Sequence, residues 1–264
     1  MSVAPRESAR LSTQDHWTEK WQNNHTEKTL HLNPWHHSFR DTHEFFLQHL
    51  PKGPDVRLLE VGTHPGRYLS YFHNFFKYDV TGMEYVDWCC EETRGNLANA
   101  GIPGDVIHAD LFDYQLESDE QGWDVVCSFG LVEHFSDTRE VVQKHLDLVR
   151  PGGLIALTIP NHSGINGPLM KVINRKQHAA HNLMSYEDLE AGVIATENAD
   201  VVAGGYLGRL GFWNVGLYPR IAGTGYAYPL LRAPFYLAEK AGRILPNTKL
   251  FSPNAAIIAR KRSD

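Results

Sequence analysis

Length, composition and charge place this chain of 264 residues among globular proteins. Hydrophobic residues make up 42% and charged residues 21%, which excludes a disordered or collagen-like chain and leaves room for one large α/β domain. The formal charge of −6 gives no overall attraction to nucleic acid or to an anionic membrane, so a small-molecule or protein partner is favoured.

Cysteine usage and hydropathy indicate the compartment. Only three cysteines occur, and Cys89 and Cys90 are adjacent, so no disulfide framework or zinc-ligand spacing can be built from them. No segment approaches the roughly 18 uninterrupted apolar residues that a membrane-spanning helix needs, and the first residues lack the apolar core of a signal peptide. We therefore expect a soluble, cytoplasmic protein without a membrane span.

The N-terminal segment is predicted to form a helical arm. Residues 1 to about 12 are polar and aperiodic, as expected of a frayed terminus. From residue 17 to residue 50, aromatic residues alternate with histidines, and the spacing of Phe39, Phe46 and Leu50 gives one apolar helix face. The Pro-Lys-Gly-Pro sequence at 51–54 ends it. We expect an arm or lid over residues 1–50 and one domain over residues 51–264.

After this stop, short apolar runs alternate with amphipathic stretches, which is typical of βα units and a parallel sheet. The predicted strands are 56–61, 79–84, 105–108, 123–129 and 154–159, and the predicted helices are 66–76, 86–100 and 138–149. Such strands form an open doubly wound sheet, whose ligand crevice lies at the carboxyl ends of the strands.

The second half of the chain is less regular. Residues 161–184 are predicted as a long loop or short helices, and Ser185 as the N-cap of a helix to about Ala195. Residues 201–206, 212–217 and 254–260 are predicted as further, antiparallel strands. An aromatic and proline-rich insertion occupies about residues 219–250.

The first predicted strand contains the acid Glu60 and breaks into a turn. Gly62 and Gly66 flank Thr63, His64 and a proline there. Glycines at a strand-to-helix turn let a ligand approach the backbone, and the helix start offers it unpaired N–H groups. The alternative is a tight turn that needs glycine only for its dihedral angles.

A second acid, Glu84, ends the next predicted strand, eighteen residues after Gly66. In dinucleotide-type folds, a carboxylate at this place accepts hydrogen bonds from both hydroxyls of an adenosine ribose. Asp87 is the alternative for this role, although it is also suited to cap the next helix.

With these and three further motifs, the chain resembles the class I S-adenosylmethionine-dependent methyltransferases of the small-molecule type, with a core like that of ubiquinone- and menaquinone-biosynthesis enzymes. The further motifs are Ala-Asp-Leu at 109–111, the fourth strand and its exit at 123–135, and Arg-Pro-Gly-Gly at 150–153. The resemblance covers about residues 55–160. It implies an α/β Rossmann-like, doubly wound, seven-stranded and mostly parallel sheet with one antiparallel strand, S-adenosyl-L-methionine as cofactor, and methyl transfer.

The resemblance also implies roles for individual residues. Asp110 would contact the adenine amino group, Glu84 the ribose, and Glu60 the cationic methionine moiety. The predicted cofactor-binding residues are Glu60, Gly62, Thr63, His64, Gly66, Glu84, Tyr85, Asp110, Leu111 and Phe129. No metal ligand is expected.

The first turn departs from the usual sequence of the family at one position. The family commonly carries glycine where His64 stands, so His64 could narrow the methionine end of the site, donate to the cofactor carboxylate, or mark a degenerate pocket.

A dinucleotide-dependent dehydrogenase is disfavoured, because Glu60 would repel a pyrophosphate and the Gly-x-Gly-x-x-Gly pattern is absent.

Histidines supply the candidate catalytic groups. Attack on a sulfonium methyl group depends on in-line positioning, and a base is needed only when the acceptor must lose a proton. The leading candidate is His134, after the fourth strand, with Glu133 as a hydrogen-bond acceptor beside it. His36 and His37 on the arm form the second set, and His162 after the fifth strand the third. The resemblance favours an oxygen or carbon atom of a small-molecule acceptor.

Two other functions remain open. The side chain of His64 suggests a cofactor-binding protein without catalysis. The basic residues at 260–262 and in the insertion suggest an RNA methyltransferase, although the net negative charge disfavours nucleic acid as a partner. A homodimer is left open.

Overall fold

The structure is a computed structural model that describes residues 10–22, 37–117, 121–179, 181–222 and 224–263. Its strands are β1 Arg57–Val61, β2 Asp79–Glu84, β3 Gly104–His108, β4 Trp123–Phe129, β5 Val149–Pro160, β6 Ala199–Leu207 and β7 Asn254–Lys261. Its helices are α1 Gln14–Gln22, α2 His37–His49, α3 Arg67–Phe76, α4 Asp87–Asn99, α5 Thr138–Leu148, α6 Asn166–Ile173, α7 Arg175–Ala179, α8 Tyr186–Ile194, α9 Leu217–Ala222 and α10 Tyr228–Ala241. None of the described helices is long and apolar enough to cross a membrane.

The seven strands form one sheet in the order β3-β2-β1-β4-β5-β7-β6. Strands β1 to β5 are parallel to one another, and β7 is antiparallel to both of its neighbours, β5 and β6. The predicted doubly wound sheet with one antiparallel strand is therefore confirmed. The strand order reverses between β1 and β4, and this switch point is where such sheets bind ligands.

Helices cover both faces of the sheet because successive strand residues point to opposite sides. Leu58 belongs to a core that contains side chains of α2, α3 and α4, such as Phe46 and Phe72. Its neighbour Leu59 belongs to a second core, with side chains of α5 and α8 such as Leu146. The central strands β4 and β5 are largely apolar, as expected of a sheet that is buried on both faces.

The predicted cap of α8 is confirmed. The Ser185 hydroxyl accepts a hydrogen bond from the backbone N–H of Asp188 (3.3 Å), and the Asp188 carboxylate accepts one from the Ser185 N–H (2.8 Å). This reciprocal pair satisfies two N–H groups that a helix start otherwise leaves open. Residues 161–184, predicted as a loop or short helices, contain α6 and α7.

The prediction of a strand at 212–217 is wrong. Residues Trp213–Val215 form one turn of 3-10 helix, and Gly216 follows in the left-handed region at φ 73°. The apolar residues Phe212 and Val215 pack with Met170 in a third core, apart from the sheet. Alternation of apolar residues predicts a strand, but here the apolar side chains cover the helices of the insertion.

Candidate functional site

A cleft opens at the carboxyl ends of the central strands, beside the switch point of the sheet. It encloses about 460 Å³, the space at its open mouth included. It is lined by Arg10, Ser12, Trp17, Val61, Gly62, Met83, Glu84, Tyr85, Ala109, Asp110, Leu111, Leu131, His134 and Phe135. Six residues predicted for the site thus meet here: Gly62, Glu84, Tyr85, Asp110, Leu111 and His134.

The turn after β1 depends on its glycines. Gly62 and Gly66 have φ angles of 73° and 90°, which side-chain-bearing residues rarely adopt. A Cβ atom at Gly66 would lie 3.0 Å from the Thr93 methyl group, so space also favours glycine there. The Gly62 N–H donates to the carbonyl of Met83 (2.8 Å), which holds the turn against the end of β2.

Glu84 is held in place by the backbone that follows it. Its Oε1 accepts hydrogen bonds from the N–H groups of Tyr85 (2.9 Å) and Val86 (3.2 Å). Burial nevertheless raises the pKa of Glu84, and these hydrogen bonds oppose that rise. The carboxylate is therefore positioned at the wall of the cleft before any ligand arrives.

Glu60 lies directly below the turn and is 3% exposed. Burial raises the pKa of Glu60 to about 8, although the Thr63 hydroxyl donates to its Oε2 (3.0 Å) and Arg67 lies near. A carboxyl group with this pKa is mostly protonated at neutral pH. A cation bound beside it would favour the ionised form.

Arg10 is a residue of the cleft that sequence reasoning missed, because residues 1–12 were predicted to be frayed. Its guanidinium forms a salt bridge with the carboxylate of Asp110. The guanidinium also lies 5.1 Å from the ring centre of Tyr85 and 5.3 Å from that of Phe112. A cationic, planar group therefore occupies the position predicted for adenine, and no periodicity in the sequence indicated it.

The start of the arm covers the cleft. The Leu11 N–H donates to the carbonyl of His134 (2.9 Å), and the Gln14 side chain donates to the carbonyl of Tyr85 (2.8 Å). The ring of Trp17 meets the ring of His134 edge-on, with centres 4.7 Å apart. The arm thus contacts His134 and Tyr85, which both line the cleft.

His134 belongs to a cluster of polar side chains. It follows β4 in a short 3-10 turn and is 3% exposed, next to the buried Glu133. One ligand atom each of Glu133, His134 and His181 lie within 4.8 Å of one another. The ring centre of His162 lies 5.4 Å from that of His181. Burial, together with His181 and His178, lowers the pKa of His162 to about 3, so its ring is neutral at physiological pH.

Several predicted residues do not line the cleft: Glu60, Thr63, His64, Gly66, Phe129, Glu133 and His162. The ring of His64 faces α4, with Nδ1 3.3 Å from the Thr93 hydroxyl and Nε2 3.5 Å from the Glu92 carboxylate. Phe129 stacks on Tyr68 at 3.6 Å. His37 is the first residue of α2, and His36 lies outside the described residues.

A family model described as a methyltransferase domain matches residues 31–211, which is more than half of the chain. No curated protein sequence matches the chain.

Solved structures share the fold at low sequence identity. A geranyl diphosphate C-methyltransferase from Streptomyces coelicolor A3(2), solved with Mg²⁺, geranyl diphosphate and S-adenosyl-L-homocysteine, is 15% identical, with a TM-score of 0.62 over 98% of this chain and 100% of that one. A putative sarcosine dimethylglycine methyltransferase from Galdieria sulphuraria is 11% identical, with a TM-score of 0.60 over 95% and 98%. The [4+2]-cyclase SpnF is 15% identical, with a TM-score of 0.58 over 85% and 81%.

Proposed function

Because the chain belongs to the family of methyltransferase domains and is a methyltransferase that uses S-adenosyl-L-methionine, we propose that it methylates an oxygen or carbon atom of a small-molecule acceptor. The acceptor atom attacks the methyl carbon in line with the breaking carbon–sulfur bond. The electron pair of that bond stays on sulfur, and S-adenosylhomocysteine leaves. The observation that carries the proposal is one cleft that gathers Gly62, Glu84, Asp110 and His134.

In this proposal the cofactor lies along the cleft. Glu84 accepts hydrogen bonds from the ribose hydroxyls, and Asp110 accepts one from the adenine amino group. The methionine end lies against the turn at Gly62, above Glu60. The buried carboxyl of Glu60 suits this end, because a bound ammonium and sulfonium would stabilise its ionised form.

His134 is the proposed general base for an acceptor that must lose a proton. Among the catalytic candidates in the described part of the chain, it alone lines the cleft. Glu133 lies beside it, with Oε1 3.9 Å from Nε2 of His134. His36 and His37 on the arm and His162 after β5 remain the further candidates. The last is buried with a lowered pKa, which makes it a weak base.

The arm acts as a lid in this proposal. Arg10 and the adenine amino group compete for the same carboxylate, Asp110, so the arm must shift before the adenine can bind. Once the adenine is bound, Trp17 and Leu11 can contact His134 again and cover the cofactor from that side. Closure would exclude water from the sulfonium group.

Calorimetric titration with S-adenosylmethionine and S-adenosylhomocysteine is the first test. We expect micromolar binding, weakened by Glu84→Gln by about 1–3 kcal/mol because charge-assisted hydrogen bonds to the ribose are lost. Glu44→Gln, an exposed change on α2, is the matched control and should bind like the wild type.

A screen of small-molecule acceptors with methyl-labelled cofactor follows. Label in an acceptor that contains a hydroxyl or an enol would support the proposal. Tight cofactor binding without transfer to any acceptor would favour a silent cofactor-binding protein instead, and salt-sensitive transfer to RNA would favour the nucleic-acid alternative.

A further inference from the structure

Polar side chains from three separate segments form a cluster beside the cleft, and His134 is the member of the cluster that lines the cleft. Glu133 and His134 come from the turn after β4, His162 follows β5, and His181 follows α7. One ligand atom each of Glu133, His134 and His181 lie within 4.8 Å of one another. Two ligands bound about 2.1 Å from one ion lie at most about 4.2 Å apart, so a small inward movement of the side chains would complete a coordination shell.

The hydrogen bond of His181 fixes which of its nitrogens carries a lone pair. Its Nδ1–H donates to the backbone carbonyl of Gln177 at 2.6 Å. The neutral ring then carries its lone pair on Nε2. Metal-binding histidines commonly have this arrangement, in which one ring nitrogen donates to a carbonyl and the other binds the ion.

His162 provides an independent observation. It is 3% exposed, and neither of its ring nitrogens has a hydrogen-bond partner within the described part of the chain. Leaving a buried polar group without a partner is costly, so such groups usually have a ligand, an ion or a water molecule beside them. The ring lies edge-on to that of His181, with centres 5.4 Å apart, so this unpartnered ring lies beside the cluster.

We propose that Glu133, His134 and His181 form a site for a divalent transition-metal ion, with His162 as its outer partner through a bound water. Two imidazoles and one carboxylate suit Zn²⁺ or Fe²⁺ better than Mg²⁺ or Ca²⁺, which prefer oxygen ligands. Three protein ligands leave coordination positions open, as in catalytic zinc sites.

The site has a consequence for the acceptor. His134 also lines the cleft, so an ion on its lone pair would lie beside the cofactor and could take an oxygen atom of the acceptor as a further ligand. This role rests on the proposed function, whereas the binding of the ion does not. With the ion bound, His134 holds the ion, so its role as general base applies to the metal-free protein.

The test is metal binding by the full chain after treatment with a chelator. We expect one Zn²⁺ per chain by calorimetry, and ligand-field absorption bands in the visible spectrum when Co²⁺ is used instead. His181→Ala and Glu133→Gln should each weaken binding by roughly 100-fold or more. His108→Ala removes an exposed histidine at the end of β3 and should bind like the wild type.

Three results would overturn the proposal: no stoichiometric binding of Zn²⁺ to the folded wild type, binding that His181→Ala retains in full, or a Co²⁺ spectrum without bands from nitrogen ligands. The wild-type spectrum keeps the proposal testable if a variant does not fold. Binding of S-adenosylhomocysteine is measured on the same metal-free samples. Intact cofactor binding with no metal binding would refute the metal site alone and leave the proposed function standing.

Discussion

Replacing Glu60 by glutamine should make the cofactor-free protein more stable at neutral pH and, at the same time, weaken its binding of the cofactor. The carboxyl group is buried below the glycine turn, and burial raises its pKa to about 8 from an ordinary value of 4.5. In the unfolded chain the same group ionises at its ordinary pKa. Glutamine keeps the shape and the acceptor for the Thr63 hydroxyl but has no proton to lose.

The sign and size of the effect follow from proton linkage. Below pH 4.5 the carboxyl is protonated in both states, and its raised pKa then has no effect on stability. Above that pH the unfolded chain releases the proton while the folded protein keeps it, so the free energy of unfolding of the wild type falls until about pH 8. Each pH unit costs about 1.4 kcal/mol, which amounts to about 3 kcal/mol at pH 7 and about 1 kcal/mol at pH 5.

Urea unfolding of the wild type and of Glu60→Gln at pH 5 and pH 7 measures this difference. The variant should be more stable by about 3 kcal/mol at pH 7 and by about 1 kcal/mol at pH 5. Glu44→Gln, at an exposed position of α2, should match the wild type at both pH values. Equal stabilities at pH 7, or a gap that does not widen between pH 5 and pH 7, would refute the reasoning.

Further predictions concern the cleft. Arg10→Ala should tighten cofactor binding roughly tenfold, because the Asp110 carboxylate then does not have to give up its salt bridge with Arg10. Calorimetry measures the affinity, with Arg139→Ala as a control at an exposed position. Weaker binding by Arg10→Ala would contradict the prediction. Cofactor affinity of the wild type should rise with pH up to about 8 and then level off, because binding favours the ionised form of Glu60; titrations in buffers of different ionisation enthalpy would detect the released proton. His134→Ala should lower turnover about 100-fold and leave cofactor affinity unchanged; equal turnover would remove it as the base.

The sheet could be predicted because its strands are buried on both faces. Such strands appear as short apolar runs, and the helices between them show one apolar face. The predicted strands at 79–84 and 123–129 accordingly match the bounds of β2 and β4. The same signal failed at 212–217, where apolar residues fill the core of the insertion and Gly216 breaks the extended backbone. A pattern of polarity does not tell which core a residue enters.

The cleft was predictable where its residues directly follow strands. Gly62, Glu84 and Asp110 each come at or just after a strand end, and parallel strands bring their carboxyl ends to one edge. Arg10 and His181 come from aperiodic segments, and each meets its partners across a long stretch of chain. Their positions result from tertiary packing, for which the local sequence holds no signal.

The insertion after β6 starts and ends at one point of the sheet. Leu207 and Asn254 are paired in adjacent antiparallel strands, and the segment between them contains α9 and α10. Since the entropy of closing a loop changes slowly with its length, a shorter or foreign segment could join these two residues without moving the strands. No described residue of this segment lines the cleft, so the insertion could be exchanged while the residues of the cleft and the seven strands keep their places.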